Sequence, residues 1–81
     1  MSRARDVVEV VARGLADRTD NVSVTEREGR DVTHIELSTT GQDLGRMIGR
    51  QGRTATSIRA LAELVAEPEG RQVSVDFVGT P

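Results

Sequence analysis

The spacing of apolar residues changes several times along this 81-residue chain, and each change limits the folds that remain open to it. An apolar stripe near the start of the chain has the spacing of one helix face, because three of its members lie four residues apart. The stripe consists of Val7, Val8, Val11, Ala12 and Leu15. The sequence therefore predicts a first helix over residues 6–17, with Val7, Val11 and Leu15 along the middle of its buried face.

Two stretches with alternating apolar residues follow this helix, at residues 21–27 and 32–39. Such alternation is typical of β-strands that bury one face. Residues 28–31 between them include the glycine and aspartate that tight hairpin turns favour. A third alternating stretch, residues 71–78, is expected to form the last strand, with residues 79–81 as a tail.

Two more helices are expected between the second and third strands. The first begins after Thr40, whose hydroxyl precedes the Asp43 carboxylate by three residues as in a capping box, and it ends at Gly49. The second covers about residues 53–67 and stops before Pro68. Their apolar faces are Leu44, Met47 and Ile48 in the first, and Ala55, Ile58, Leu61, Ala62 and Val65 in the second.

The resulting order, α-β-β-α-α-β, predicts the fold class α+β, with a three-stranded sheet covered on one face by three helices. A chain of this length is expected to form one domain over residues 1–81, with its core at about residues 6–78. Without cysteine, its stability has to come from this core or from association with another chain. Neither a membrane span nor a signal peptide is predicted, so the expected location is cytoplasmic.

The residues between the two later helices carry the most distinctive chemistry of the sequence. Gly49 and Gly52 bracket a polar tip made of Arg50 and Gln51. Glycine accepts positive φ angles and leaves room for the backbone of a ligand. The helix that begins at Arg53 directs its free N–H groups and positive dipole end to the same place. These features predict a site that holds a phosphodiester backbone.

The distribution of charge supports an anion site in this region. The whole chain has a net charge of −2, which argues against general attraction to polyanions. Residues 44–62, however, contain no acid and four arginines. The four are Arg46, Arg50, Arg53 and Arg59. A local basic surface on an acidic chain indicates a defined binding site.

The remaining residue types argue against catalysis and against several other binding folds. With no cysteine and a single histidine, His34, the chain has no nucleophile–base pair and no metal-ligand cluster. No enzyme activity, cofactor or metal is therefore predicted, and His34 is expected at the surface. Phe77 is the only aromatic residue and is expected in the core. This excludes RNA-binding folds that stack bases on several aromatic side chains.

The sequence around the loop resembles the signature of a known family. The segment Ile48-Gly49-Arg50-Gln51-Gly52-Arg53-Thr54-Ala55, preceded by Leu44-Gly45-Arg46, is similar to that of small bacterial single-domain KH proteins of the KhpA type. The likeness extends from Asp6 to Val78, with Arg46 and Arg50 where many relatives have lysine. KH domains hold the nucleic-acid backbone with a G-x-x-G loop.

This resemblance implies a type II KH domain, in which the hairpin precedes the helix pair and the last strand is parallel to the central one. It implies binding of single-stranded RNA, as an RNA chaperone or post-transcriptional regulator in the bacterial cytoplasm. It also implies a homodimer, or a heterodimer with a larger KhpB (Jag)-type protein linked to cell elongation and division. The predicted RNA-binding residues are Gly49, Arg50, Gln51, Gly52, Arg53, Arg46, Ile48 and Thr56.

Two other functions remain open on the sequence alone. In the first, the KH architecture serves dimerisation and acts mainly through protein partners. In the second, residues 53–67 form the recognition helix of a helix-turn-helix DNA-binding protein, with Thr54, Thr56 and Ser57 at the base-reading positions.

Overall fold

Three α-helices and three β-strands follow one another in the predicted order in the computed structural model, which describes residues 2–80 except for the side chain of Thr80. The elements are α1 (Arg3–Leu15), β1 (Ser23–Glu28), β2 (Val32–Thr40), α2 (Gly41–Ile48), α3 (Arg53–Ala66) and β3 (Gln72–Thr80). The prediction of a tail at residues 79–81 is wrong for Gly79 and Thr80, which belong to β3, and Pro81 lies outside the described residues. None of the described helices is long and apolar enough to cross a membrane.

The sheet has β2 in its centre, antiparallel to β1 and parallel to β3. The hairpin turn is closed by a hydrogen bond of 2.7 Å from the Gly29 N–H to the Val32 carbonyl. Two parallel neighbours cannot be joined by a short turn, so α2, the loop after it and α3 form the connection from β2 to β3. The type II KH arrangement expected from the resemblance is thereby confirmed.

The helices cover one face of the sheet, and the core lies between the two layers. Ile35 and Leu37 of β2 are at most 1% exposed and pack with Val8, Met47 and Ile58 from the three helices. The opposite face of β2 is polar. There His34, expected at the surface, is half-buried, with its Nδ1 atom 2.9 Å from the Ser74 hydroxyl of β3.

The buried face of α1 is rotated from the expected one. Ala4, Val8 and Ala12 are buried, whereas Leu15, expected on the buried face, is 38% exposed. The helix also starts earlier than expected, because the Ser2 hydroxyl accepts a hydrogen bond from the Arg5 N–H and caps it. The small side chains on this face let α1 approach α3 closely. The rotation of α1 about its axis is therefore set by this close contact, and burial of the larger valine side chains has less influence on it.

Small residues also predominate on the buried face of α3. Ala55, Ile58 and Ala62 are buried as expected, and Ala66 joins them. Leu61, by contrast, is 38% exposed, although it was expected in the core. The two alanine-rich faces of α1 and α3 meet each other, so the larger aliphatic side chains are left at the rim.

The predicted capping box at the start of α2 is wrong. The Thr40 side chain makes no capping hydrogen bond. The Asp43 carboxylate instead turns to the end of α1 and accepts hydrogen bonds from the backbone N–H groups of Asp17 (2.9 Å) and Arg18 (3.0 Å). These two bonds hold the pKa of Asp43 below its ordinary value even though the side chain is buried. Asp43 therefore ties α2 to the chain that follows α1.

We predict that Asp43→Asn lowers the free energy of unfolding at pH 7, because an amide cannot accept both backbone hydrogen bonds. Since the pKa of Asp43 is lowered by folding, this stabilisation is complete above about pH 4 and is lost as the pH falls through the folded pKa. The difference between variant and wild type should accordingly shrink at pH 3. Urea unfolding followed by circular dichroism measures it.

Asp20→Asn is the matched control for this experiment, because Asp20 is exposed and makes no side-chain hydrogen bond with any of the described residues. It should unfold like the wild type at pH 7. Equal stability of Asp43→Asn and the wild type at pH 7 would contradict the role assigned to this carboxylate.

Candidate nucleic-acid interface

The loop between α2 and α3 has an unusual backbone at three successive points. Gly49 has a φ of 76°, Gln51 has a φ of 57° and Gly52 has a φ of 73°. The turn is closed by a hydrogen bond of 3.2 Å from the Gly52 N–H to the Gly49 carbonyl. Among residues 2–80, Gln51 is the one non-glycine residue with positive φ, and such strain is common at binding sites.

The two glycines of the loop are required for different reasons. A Cβ atom on Gly49 would overlap the Thr54 hydroxyl and lie 2.7 Å from the Thr54 Cβ. A Cβ on Gly52 would meet no atom within 4 Å, so only its positive φ disfavours a side chain. Thus Gly49 allows the loop to pack closely against Thr54 of α3, and the space around Gly52 is open to a ligand.

The first turn of α3 faces the loop and keeps backbone donors available there. No side chain caps this helix. The Thr56 hydroxyl donates a hydrogen bond of 3.0 Å to the Gly52 carbonyl, and the Arg53 N–H donates to the Arg50 carbonyl. No side chain occupies the N–H groups that follow Arg53 in the first turn, so an external acceptor can reach them. The positive end of the helix dipole adds to the attraction for an anion.

The arginines of the predicted site divide into two groups. Arg50 is exposed and makes no side-chain hydrogen bond or ion pair with residues 2–80. Arg53 is exposed as well and donates only to the Gln51 side-chain oxygen, at 3.2 Å. Both guanidinium groups are therefore available to a phosphate.

Arg46 belongs to the other group, because its charge is compensated within the fold. Its Nη1 atom forms ion pairs with Asp17 and, at 3.3 Å, with Asp43. The bond to the Asp17 carboxylate is the main reason why the pKa of Arg46 is raised. The side chain thus reinforces the contact between α2 and the end of α1.

An open cleft of about 640 Å³ lies between the loop and the edge strand β3. One wall comes from the loop and the helices and the other from the sheet. The lining residues are Ile48, Gln51, Gly52, Ala55, Thr56 and Arg59 on the first wall, and Glu36, Asp76, Phe77 and Val78 on the second. The structure brings four predicted site residues together here, which are Ile48, Gln51, Gly52 and Thr56. Gly49, Arg50 and Arg53 adjoin the cleft in the chain without lining it, and Arg46 points to the end of α1.

Several lining residues were not among the predicted ones. Phe77, expected in the core, is only partly buried, and its ring centroid lies 5.0 Å from the guanidinium carbon of Arg59. The Arg59 Nε atom also donates to the Val75 carbonyl at the sheet edge, at 3.1 Å. Thr56 and Arg59 are three residues apart on α3, a spacing that places both on one face, so the sequence contained a signal for Arg59.

The acidic lining residues had no such signal. Glu36 and Asp76 are 40 positions apart in the chain and become neighbours only through the parallel register of β2 and β3. No cluster of three or more potential metal ligands occurs in the part of the chain that the structure describes.

Comparison with known proteins gives consistent family relationships. A family model described as the KH domain of KhpA/KhpB matches residues 5–77. RNA-binding protein KhpA of Mycobacterium tuberculosis (strain H37Rv) is 46% identical over 78 residues, covering 93% of this chain and 90% of that protein. RNA-binding protein KhpA of Aquifex aeolicus is 37% identical over 78 residues, covering 96% and 99%.

Solved structures with a similar fold include two of the protein Era. One is Aquifex aeolicus Era bound to GDP·AlF4⁻, and the other is Era in complex with MgGDPNP and nucleotides 1506–1542 of 16S ribosomal RNA. Both match 95% of this chain with a TM-score of 0.62, at 18% and 20% sequence identity. This chain corresponds to 30% of each Era chain, and the likeness concerns the fold alone.

We predict that Gly49→Ala destabilises the fold more than Gly52→Ala does. The second change costs about 1 kcal/mol through its positive φ alone. The first adds a steric overlap with Thr54, which the packed start of α3 cannot relieve without moving the loop. Thermal unfolding followed by circular dichroism compares the two variants, and a Gly49→Ala variant as stable as Gly52→Ala would contradict this explanation of the loop.

Proposed function

Because this chain belongs to the KhpA/KhpB family of KH domains, we propose that it binds single-stranded RNA with the loop from Gly49 to Gly52 and the adjacent cleft. The observation that carries the proposal is the loop itself, a glycine-bracketed basic tip at the uncapped start of α3. The relatives at 37% and 46% identity are named RNA-binding proteins. In this proposal the role is binding, without a catalytic step.

The chemistry of the loop suits the phosphodiester backbone. Arg50 and Arg53 supply two uncompensated charges, and the first turn of α3 supplies backbone N–H donors. The absence of a side chain at Gly52 lets the RNA backbone come close to the loop. A contact between Arg46 and RNA stays a prediction, and it would require Arg46 to leave Asp17 and Asp43.

The cleft suits bases that are not paired. Its walls hold the aliphatic Ile48 and Val78 and the exposed Arg59, which together offer apolar and planar contacts to a base. Single-stranded RNA exposes base faces and Watson–Crick edges to such a surface, whereas a duplex keeps both inside the helix. About four nucleotides fit along one KH loop.

The alternative functions are less well supported by the same surface. A helix-turn-helix protein would have to present the exposed face of α3 to DNA. That face carries Glu63 and Leu64, the latter 66% exposed, and neither suits a phosphate-lined groove. A pure protein-interaction module would have no use for the strained basic loop.

We further propose the finer role that the family suggests, an RNA chaperone or post-transcriptional regulator acting in the bacterial cytoplasm. A single short cleft beside a loop with two free cations binds RNA weakly, so two copies joined in one particle would raise the effective affinity. Self-association, or pairing with a KhpB-type protein in the control of cell shape and division, belongs to this proposal. Val10 (72% exposed) and Leu64 (66% exposed), on the neighbouring helices α1 and α3, offer apolar surface for such a contact.

We predict that Arg50→Asp combined with Gln51→Asp lowers RNA affinity at least ten-fold, because it replaces an attractive charge by two repulsive ones beside the phosphates. Both side chains are exposed, and aspartate tolerates the positive φ at position 51, so the fold should remain intact. Fluorescence anisotropy with a labelled unstructured RNA measures the affinity, and circular dichroism checks the fold.

The matched control is the double variant Arg30→Asp with Gln72→Asp. It changes the net charge by the same three units, but at the other end of the sheet. Both residues are exposed, and neither lines the cleft. The control should bind RNA within about two- to three-fold of the wild type, since exposed charges beyond a Debye length are screened. Equal loss in both double variants would remove the loop assignment.

We predict that the purified chain shifts from monomer to dimer within a micromolar concentration series, and that Leu64→Glu moves this transition to higher concentration. A charge on an apolar contact surface costs desolvation on association. Sedimentation velocity measures the mass at each concentration. A monomer mass at every concentration would rule out the homodimer. Pairing with a KhpB-type protein would then be tested by a pull-down from the native cell.

A further inference from the structure

One cation of the cleft, Arg59, lies outside the loop and is held by the edge strand. Its Nε atom donates a hydrogen bond of 3.1 Å to the Val75 carbonyl, and its guanidinium carbon lies 5.0 Å from the centre of the Phe77 ring. Among residues 2–80 the guanidinium has these two partners and no carboxylate. The residue is exposed nonetheless and lines the cleft, so part of its guanidinium surface is open to a ligand.

Phe77, the sole aromatic residue of the chain, supports this guanidinium group. Val75 and Phe77 are two residues apart in β3, so both side chains lie on the sheet face that the helices cover, where Phe77 packs against the core. Arg59 reaches the same face from α3. The attraction between the cation and the ring, together with the hydrogen bond to Val75, restricts the rotamers of Arg59. The cleft therefore has a planar cation in a fixed position on its wall.

A fixed planar cation can serve RNA by binding a phosphate or by stacking on a base, and the position of Arg59 favours stacking. Its Nε–H, which would contribute to a bidentate contact with phosphate, is already donated to the Val75 carbonyl. Arg59 also follows Arg53 by six residues in α3, a rise of about 9 Å from the loop where Arg50 and Arg53 are available to phosphates. A nucleotide whose phosphate is held at the loop extends its base into the cleft, toward Arg59.

We propose that Arg59 is the base-stacking residue of this cleft, with the Phe77 ring on one face of its guanidinium group and an unpaired base on the other. The proposal rests on the RNA-binding function proposed above and adds to it the residue that makes binding depend on the bases. Because the face of the base is contacted and its edge is not, the contact accepts any of the four bases. Phe77 is a positioning residue that acts through Arg59.

The test compares binding of heptauridine RNA with binding of the same ribose–phosphate chain without bases. The wild type should bind heptauridine more tightly. Arg59→Ala should weaken binding of heptauridine about five-fold or more, and binding of the base-free chain by less than about two-fold, because stacking is lost and the backbone contacts at the loop remain. Fluorescence anisotropy at low salt measures both affinities, and circular dichroism checks that each variant is folded.

The matched control is Arg30→Ala, which removes the same charge from an exposed residue outside the cleft and should weaken binding of both chains equally and slightly. Arg59→Lys keeps the charge but replaces the planar group by a compact ammonium, so it should bind heptauridine as weakly as Arg59→Ala does. Phe77→Leu should weaken heptauridine binding in the wild type and cause no further loss in the Arg59→Ala background, since Phe77 acts through Arg59.

The outcomes separate this proposal from the one on which it rests. If Arg59→Ala weakens binding of both chains by the same factor and reduces the slope of log affinity against log salt by about 0.7, Arg59 binds a phosphate and the stacking role is wrong. Wild-type affinity in Arg59→Lys would overturn it as well. If the wild type binds both chains equally, no base is held, and the backbone contact at the loop stands. If the wild type binds neither chain, the RNA-binding function is contradicted and this proposal falls with it.

Discussion

The parallel pairing of β2 with β3 is the constraint from which the functional surface follows. Strands that run in the same direction need a long connection, and here residues 41–71 supply it as two helices with a tight turn between them. The turn lies between the two helices, and the returning strand forms the edge of the sheet beside it. The cleft between loop and edge strand is thus a direct product of this topology.

Charge on this small protein is organised locally. Arg46 is compensated by Asp17 and Asp43 and helps to hold α2 in place, whereas Arg50 and Arg53 remain available at the loop. A net charge of −2 then has little influence on phosphate binding, because exposed charges on distant surfaces are screened over about 10 Å.

Several features that were misjudged from the sequence share one physical cause. The rotation of α1, the exposure of Leu61 and the absence of the capping box all depend on which surfaces meet in the folded chain. Periodicity identifies a helix and its apolar face. Where alanines allow two helices to approach closely, however, the alanines can lie at the centre of the buried face and the larger aliphatic residues at its edge. Likewise the Asp43 carboxylate could accept a hydrogen bond at the start of α2 or from the chain after α1. In the folded chain it accepts from the backbone N–H groups of Asp17 and Arg18.

The order of helices and strands, the hairpin and the position of the G-x-x-G loop were determined by the sequence itself, because periodicity, turn residues and glycine act over a few neighbouring residues. Tertiary structure alone decided which residues line the cleft beside the loop. Arg59 meets Phe77, and Glu36 meets Asp76, only after the parallel register of β2 and β3 has formed. Such pairs join residues 18 to 40 positions apart, and their contacts depend on the packing of whole elements, which local sequence preferences do not specify.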